Sequence, residues 1–205
     1  MTTMRFFVIG SWTEGMFHFK KLKPFIVSYQ PATLLAHVYR LPVGFPVLVS
    51  QNCSSDSADI VQGQLIELQY DETLLSLMDS LHGVHNADPS KGLHERQTVT
   101  VNNSAGGTDL AQAYFFNSKK LTARAEKIVG GQWMASIEQQ PPLTESLSER
   151  QKLYVMKLGS AKGRDIVPIN DLSLYRELMK LELIVDKGRR LALSPLGREV
   201  YNYLT

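Results

Sequence analysis

A histidine ends a segment that is otherwise apolar on one side. Leu74, Met78 and Leu81 recur at the spacing of one helix face, and Gly83 ends the predicted helix directly after His82. A free imidazole has a pKa near ~6.5, so it can accept and return a proton at neutral pH. His82 is therefore the first candidate in this chain for acid–base chemistry.

Other titratable residues lie close to His82 in the sequence. Asp79 precedes it by three residues on the same helical face and could orient the imidazole, although we expect Asp79 to be a solvated side chain. Together with His85 and His94, these residues form a loose set of metal-ligand types. Because Gly83 interrupts the helix between His82 and His85, no helical ligand geometry follows, and we assign no metal and no cofactor.

The composition is that of an ordinary globular protein. The chain has 205 residues, of which 43% are hydrophobic and 20% are charged, enough for one large domain or one domain with a small second one. The single cysteine, Cys53, excludes an internal disulfide and is expected to be a loop thiol. With no signal peptide and no apolar run near the ~20 residues of a membrane span, we expect a cytoplasmic protein without membrane contact.

Residues 1–137 predict an α+β domain with about six strands and two helices, arranged as a barrel-like sheet. Asp71 is the expected N-cap of the first helix, and Thr122 that of the last, which Gly130 and Gly131 weaken. The predicted strands lie in residues 5–9, 25–41 (as strand, turn and strand), 44–50, 60–69, 94–101 and 110–117.

Two adjacent prolines in a polar stretch predict a linker over residues 138–147, followed by a second domain over 148–205. The second domain is predicted to contain two amphipathic helices, a small hairpin with a Lys-Gly turn, and a closing helix. Residues 1–143 carry 11 Lys and Arg against 12 Asp and Glu, whereas residues 144–205 carry 11 against 8. The second domain is therefore mildly basic.

Short motifs spread over roughly residues 4–135 resemble the gamma-glutamylcyclotransferase-like family, which includes the plant avirulence-induced proteins. The motifs are "FFVIGSW", "HVYRL" with "GFP", "VQGQL", "LMDSLHG", "HER", "AQAYFF" and "IVGGQW", in the family's order and spacing. The resemblance implies a mixed β-barrel with flanking helices that encloses a cavity for a small amino-acid-like or gamma-glutamyl ligand.

The resemblance also implies which residues line that cavity. The family's Gly-Ser turn presents backbone N–H groups that can hold a carboxylate, which places Gly10, Ser11 and Trp12 at the cavity mouth. Ile9 and His94 stand where the family has tyrosines, so two hydroxyl groups of the family's pocket are replaced.

In the family, a glutamate in Leu-Glu-Gly moves protons while the substrate's α-amine attacks its own side-chain carbonyl and releases 5-oxoproline. His82 occupies that position here and brings no negative charge to attract the substrate ammonium. The resemblance therefore implies a binding or regulatory protein without the ordinary cyclotransferase activity. The alternative is a gamma-glutamylamine or gamma-glutamyl-peptide cyclotransferase that uses His82 as its general base.

The second domain resembles a small winged helix of the kind found in bacterial regulators, through "LYRELMKLELIVDKGRRLALSPLGREVYNYL". A second alternative is thus a DNA-binding regulator with the first domain as its sensor, although we expect the module to be a structural or protein-contacting unit rather than a DNA-binding one. The candidate DNA contacts are Arg176, Lys180, Lys187, Arg189 and Arg190. Three acidic residues close to them oppose that role: Asp171, Glu177 and Glu182.

Overall fold

The computed structural model describes residues 2–51, 57–162 and 165–205. Cys53, the expected loop thiol, lies outside the described residues. The chain separates into two compact units, the first comprising residues 1–41 and 45–139 and the second comprising residues 42–44 and 140–205.

The described part of the first unit consists of strands and short helices, each numbered in chain order. The strands are β1 (Thr3–Val8), β2 (Ile26–Arg40), β3 (Pro46–Val49), β4 (Asp59–Gln69), β5 (His94–Asn103), β6 (Thr108–Phe116) and β7 (Glu126–Lys127). The helices are α1 (Phe19–Leu22), α2 (Glu72–Leu81) and α3 (Trp133–Gln139).

Five of these strands close a barrel. The antiparallel pairs β1–β4, β4–β2, β2–β5 and β5–β6 run around it, and a parallel contact between Phe6 of β1 and Gln112 of β6 closes the ring. β3 lies between β2 and β6, and β7 pairs with the end of β2. This mixed α+β barrel confirms the fold class that the sequence motifs predict.

The two faces of the barrel wall carry different apolar clusters because successive residues of a strand point to opposite sides. Phe7 and Ile9 belong to the cluster inside the barrel, which also contains Trp133 of α3. Phe6 and Val8 belong to a second cluster on the outer face, where α2 packs. The sequence places hydrophobic residues on both faces of β1, and both faces are covered.

Two segments differ from the sequence prediction. β2 is one continuous strand of 15 residues rather than strand, turn and strand, because Pro31 is accommodated in the ladder opposite Gln64. The stretch predicted as a helix from Thr122 forms β7, a 3₁₀ turn and only then α3. Gly130 and Gly131 adopt φ values of 75° and 67°, which an α-helix cannot contain.

The second unit contains the two amphipathic helices, the hairpin and the closing helix expected from the sequence. Its elements are α4 (Leu143–Ser146), α5 (Glu149–Ser160), α6 (Leu172–Lys180), β8 (Ile184–Asp186), β9 (Leu191–Leu193) and α7 (Pro195–Leu204). Ser148 begins α5 with a capping box to Gln151, and Asp171 caps α6. The winged-helix assignment and the boundaries at 137 and 148 stay predictions.

None of the helices in the described ranges has the length and apolar character needed to span a membrane.

The adjacent glycines provide a matched test of the barrel wall. A Cβ on Gly131 would lie 2.6 Å from the Ile60 carbonyl oxygen, whereas a Cβ on Gly130 would meet no atom within 4 Å. Both residues have positive φ, so each alanine carries a backbone cost of roughly 1–2 kcal/mol. We expect Gly131→Ala to lower the free energy of unfolding by at least ~1 kcal/mol more than Gly130→Ala in urea titrations, and equal losses would contradict the close approach.

Candidate functional site

The candidate site lies at the carboxyl end of α2. Asp71 begins this helix as expected, because its side chain accepts a hydrogen bond from the Leu74 amide at 2.7 Å. His82 follows the last helical residue, and its Nδ1 lies 2.8 Å from the Met78 carbonyl oxygen. A carbonyl can only accept, so Nδ1 carries the proton and the neutral ring presents an unprotonated Nε2.

The His82 ring lies inside a stack of five rings, which we call the aromatic stack. In order these are His18, Trp12, His82, Tyr114 and Phe6, with successive centroids 4.7, 5.0, 3.7 and 5.8 Å apart. Successive planes differ by 22° or less. The imidazole is therefore covered on both faces, by an indole and by a phenol.

His94 lies beside the aromatic stack, at the edge of the His82 ring. Its ring meets His82 edge-on at 5.2 Å and meets Phe116 edge-on at 5.1 Å. His94 Nδ1 donates to the backbone carbonyl of His82 over 2.6 Å, so this imidazole also carries its proton on Nδ1 when neutral. The side chain and the carbonyl of His82 are thus both fixed by neighbouring groups.

The environment of these rings disfavours the charged imidazolium. Burial lowers the pKa of His18 to about 4, with a smaller contribution from the Lys21 ammonium. Burial likewise lowers the pKa of His94 to about 4, although its bond to the His82 carbonyl acts in the opposite direction. Burial, followed by the neighbouring His94, lowers the pKa of His82 well below its usual value. All three rings are neutral at pH 7.

Asp79 is buried, so the expectation of a solvated side chain is wrong. Its carboxylate faces the Arg96 guanidinium, with Oδ1–Nε and Oδ2–Nη2 distances of 3.1 and 3.3 Å, and accepts a 2.8 Å hydrogen bond from the Tyr114 hydroxyl. Only 8% of Asp79 is exposed. Burial, and then the bond to Asp79, raises the pKa of Tyr114. The orienting partner of His82 is therefore the Met78 carbonyl rather than Asp79.

The Gly-Ser turn positions the two rings at one end of the aromatic stack, His18 and Trp12. Gly10, Ser11 and Trp12 form a 3₁₀ turn, and Ser11 receives the His18 amide on its carbonyl at 2.8 Å and contacts His18 Nδ1 through Oγ at 2.8 Å. These bonds bring the His18 ring onto the indole. Gly10 has φ of 61°.

The structure brings together some of the predicted ligand-binding residues and separates others. Trp12 and His94 contact His82, and Ser11 is joined to the stack through His18. Ile9 instead belongs to the cluster inside the barrel. Gly10 lies against Pro46, where an added Cβ would come within 3.0 Å of Cγ.

Sequence reasoning missed His18 and the stacking role of Tyr114. His18 lies between two phenylalanines in "FHF", a context that suggests burial but gives no indication of its partner. Tyr114 follows Ala113 in β6, and strand alternation alone places them on opposite faces. Within residues 2–51, 57–162 and 165–205, no group of three or more His, Cys, Asp or Glu residues is arranged to hold a metal ion.

The five candidate DNA contacts all lie on the surface of the second unit. Arg176 and Lys180 are exposed on α6, and the turn between β8 and β9 carries the other three, Lys187, Arg189 and Arg190.

The lowered histidine pKa values make stability depend on pH. Between about pH 6.5 and 4 the unfolded chain binds protons at His18, His82 and His94 that the folded chain does not bind. The free energy of unfolding therefore falls as pH falls through this window, by up to ~1.4 kcal/mol per pH unit for each histidine. Urea titrations at several pH values measure this slope. His94→Asn, which keeps a donor near the His82 carbonyl, should reduce the slope, and an unchanged slope would contradict the assignment.

Asp79 and Tyr114 should differ in their contribution to stability. Asp79→Asn leaves the Arg96 guanidinium without its carboxylate in a mostly buried place and should cost ~2–3 kcal/mol. Tyr114→Phe keeps the stacked ring and removes one hydrogen bond, for ~1 kcal/mol. Urea titrations of the two variants at pH 7 give the comparison. A larger loss of stability for Tyr114→Phe would mean that the Asp79–Arg96 ion pair contributes less to stability than the Tyr114 hydrogen bond.

Comparison with known proteins gives distant likenesses. The chain is similar to YkqA from Bacillus subtilis, with 18% identity and a TM-score of 0.49 over 67% of this chain and 42% of that one. An AIG2-like protein from Mus musculus shares 15% identity over 59% of this chain and 81% of its own, with a TM-score of 0.43. An Arabidopsis thaliana protein shares 25% identity over 59% of this chain and 66% of its own, with a TM-score of 0.44.

The chain thus spans less than half the length of YkqA. No curated protein matches it. The sequence model described as "Gamma-glutamyl cyclotransferase, AIG2-like" matches residues 6–135, which is more than half of the chain and includes α2, β6 and the last three residues of β1. On that match, the chain belongs to the gamma-glutamyl cyclotransferase, AIG2-like family.

Proposed function

We propose that this protein is a binding or regulatory member of its family that does not form 5-oxoproline. The observation that carries the proposal is the position of the His82 ring, stacked between Trp12 and Tyr114 with its Nδ1 bonded to the Met78 carbonyl. In the family's motif this position holds the glutamate that exchanges protons with the substrate. Here it holds a neutral ring whose faces and protonated nitrogen are already engaged.

The charge at the site argues against binding of a substrate ammonium. A carboxylate 4 Å from an ammonium contributes about 1–4 kcal/mol of attraction at effective dielectric constants of ~80 to ~20. His82 is uncharged at pH 7 because burial lowers its pKa. The carboxylate of Asp79 is paired with Arg96 and bonded by Tyr114, so it does not replace the missing charge.

The basicity of His82 argues against the alternative in which it is the general base. Proton transfer is most efficient when the pKa of the base lies near the working pH. The same burial that keeps His82 neutral lowers its pKa well below 6.5 and so weakens Nε2 as a proton acceptor. An imidazole base would need a more solvated ring or a nearby carboxylate, and Asp79 is committed elsewhere.

The ligand we propose is a small amino-acid-like or gamma-glutamyl molecule held near the Gly10–Trp12 turn. In the family, the backbone amides of this turn can hold a carboxylate. We propose a cytoplasmic location, in keeping with a single cysteine and no possible internal disulfide.

The test is release of 5-oxoproline from a panel of gamma-glutamyl amines and dipeptides between pH ~6 and ~9, detected chromatographically. We expect no turnover above the buffer rate from the wild-type chain or from His82→Ala, which serves as the matched control. Turnover in the wild type that disappears in His82→Ala would contradict the proposal and establish the imidazole as the base.

His82→Glu tests whether the rest of the pocket still supports the reaction. The variant restores the carboxylate at the end of α2, although it also removes one ring from the aromatic stack. We expect the variant to form 5-oxoproline at a detectable rate, because the negative charge at this position is what the site lacks for the family reaction. Because the variant loses its stacking contacts, circular dichroism and urea titration should accompany the assay as controls for folding.

A further inference from the structure

We propose that a cleft between β2 and β5 of the first unit binds an extended, uncharged peptide segment of a partner protein. The cleft has a volume of about 490 Å³ and is lined by residues of β2, β5 and β6 together with Ser50 and Gln51. None of the lining residues belongs to the aromatic stack. The inference therefore goes beyond the proposed function and stands independently of it.

The cleft forms where β2 and β5 cease to pair with each other. The two strands are paired at residues 32–33 and 102–103. From His37 onward β2 pairs with β3 instead, whereas β5 continues along β6 as far as His94. Among the described strands, none pairs with the edge of β5 that faces away from β6 between residues 94 and 101. The sheet is thus open between the two strands.

Peptide groups of β5 point into the cleft. The Asn103 amide bonds to the Gly107 carbonyl at 2.9 Å, so the backbone of Asn103 faces β6. Successive peptide groups of a strand point to opposite edges, and the register between β5 and β6 is continuous. The N–H and C=O groups of Thr98 and Thr100 therefore face away from β6, along the open edge.

A peptide group of β2 faces the cleft from the opposite wall. Thr33 lies directly opposite Asn102, whose backbone faces β2 by the same alternation along β5. Two residues further along β2, the backbone of Leu35 points to the same edge, and pairing with β3 begins only at His37. An extended segment in the cleft can thus pair with β5 and meet a peptide group of β2.

The outer face of the sheet carries a row of side chains that the cleft interrupts. Ile60 of β4 lies opposite Leu35 of β2, and Thr100 of β5 lies opposite Leu110 of β6. The register at residues 32–33 and 102–103 makes Leu35 and Thr100 face each other across the cleft. The three apolar members, Leu35, Ile60 and Leu110, are 54, 63 and 66% exposed. An apolar side chain between Leu35 and Thr100 would complete the row and cover its neighbours.

The chemistry of the lining favours an uncharged segment. Among the described residues that line the cleft, none has an ionisable side chain. The inner side of the cleft reaches Leu34, Val99 and Phe115, which pack in the apolar cluster inside the barrel. A charged side chain placed there would lose hydration without gaining an opposite charge. Small apolar or β-branched residues at alternate positions suit both faces of the cleft.

The sequence of the open edge is that of a strand suited to pairing. Residues 97–101 read Gln-Thr-Val-Thr-Val and contain no charge and no proline. Natural proteins protect free edges with charged residues or proline, because an unprotected edge pairs with another chain. An added strand gains affinity from main-chain hydrogen bonds and specificity from alternate side chains. This stretch of β5 therefore has the composition of an edge that a partner strand covers.

The experiment measures fluorescence anisotropy of a fluorescein-labelled peptide, Lys-Thr-Val-Thr-Val-Thr-Lys with blocked termini, titrated with the full chain. We expect saturable binding that changes little between ~50 and ~200 mM salt, because no charged residue lines the cleft. The same peptide N-methylated at its five central residues cannot donate main-chain hydrogen bonds. We expect it to bind at least ~10-fold more weakly.

Thr100→Pro tests the backbone of the open edge. Proline removes the amide that faces the cleft and leaves the bonds between β5 and β6 in place. We expect at least ~10-fold weaker binding of the unmethylated peptide. Thr100→Val is the matched control, because it changes the side chain and keeps the amide, and it should bind within about twofold of the wild type.

Leu35→Lys tests the interrupted row without altering the backbone. The substitution places an ammonium beside the cleft and should weaken binding at least ~10-fold. Leu77→Lys changes a leucine of α2 that is 43% exposed and should bind as the wild type does. Urea titration checks that all variants are folded.

Three results would overturn the proposal. The first is absence of saturable peptide binding, and the second is an equal loss in Leu35→Lys and Leu77→Lys. The third is a dimer in size-exclusion chromatography that Leu35→Lys abolishes while the peptide does not bind, which would assign the open edge to a second copy of the chain.

Discussion

The hydrogen bond from His82 Nδ1 to the Met78 carbonyl determines the character of the candidate site. This carbonyl lies in the last turn of α2, where it also accepts the backbone amide of His82 at 3.0 Å. By accepting the hydrogen bond from Nδ1–H, the carbonyl fixes both the tautomer and the orientation of the His82 ring. The ring is thereby placed between Trp12 and Tyr114, and burial there lowers its pKa although the bond to Met78 acts in the opposite direction.

Tyr114 joins the two halves of the site. Its ring stacks on His82 with planes only 6° apart, and its hydroxyl donates to Asp79, one helical turn earlier on α2. One residue of β6 therefore contacts α2 at two successive levels, once through an apolar face and once through a polar atom. The ion pair between Asp79 and Arg96 also joins α2 to β5, the neighbour of β6 in the sheet.

The sequence predicted the elements whose signals are local. Asp71 as the N-cap of α2 and the strands over 94–101 and 110–117 were predictable, because caps and alternating strands depend on residues close in the chain. The strand pattern predicted a barrel-like sheet, and the order of the short family motifs implied the same mixed barrel.

The parts that could not be predicted depend on contacts between distant residues. Asp79 looks like a solvated carboxylate until Arg96 and Tyr114, 17 and 35 residues away, are brought against it. His18 gives no local sign that it will cover an indole. The strand at 126–127 replaces the predicted helix because its pairing partners lie on β2, far back in the chain.

The stacking of Trp12 between two imidazoles has a mechanical consequence. His18 is bonded to Ser11 of the same turn, so a displacement of the Gly-Ser turn by about 3.5–4.0 Å, one ring thickness, would carry His18 along and separate the indole from His82. The turn therefore cannot shift relative to the end of α2 in small increments at little cost. A ligand that displaces the turn would therefore also have to break the Trp12–His82 contact at the end of α2.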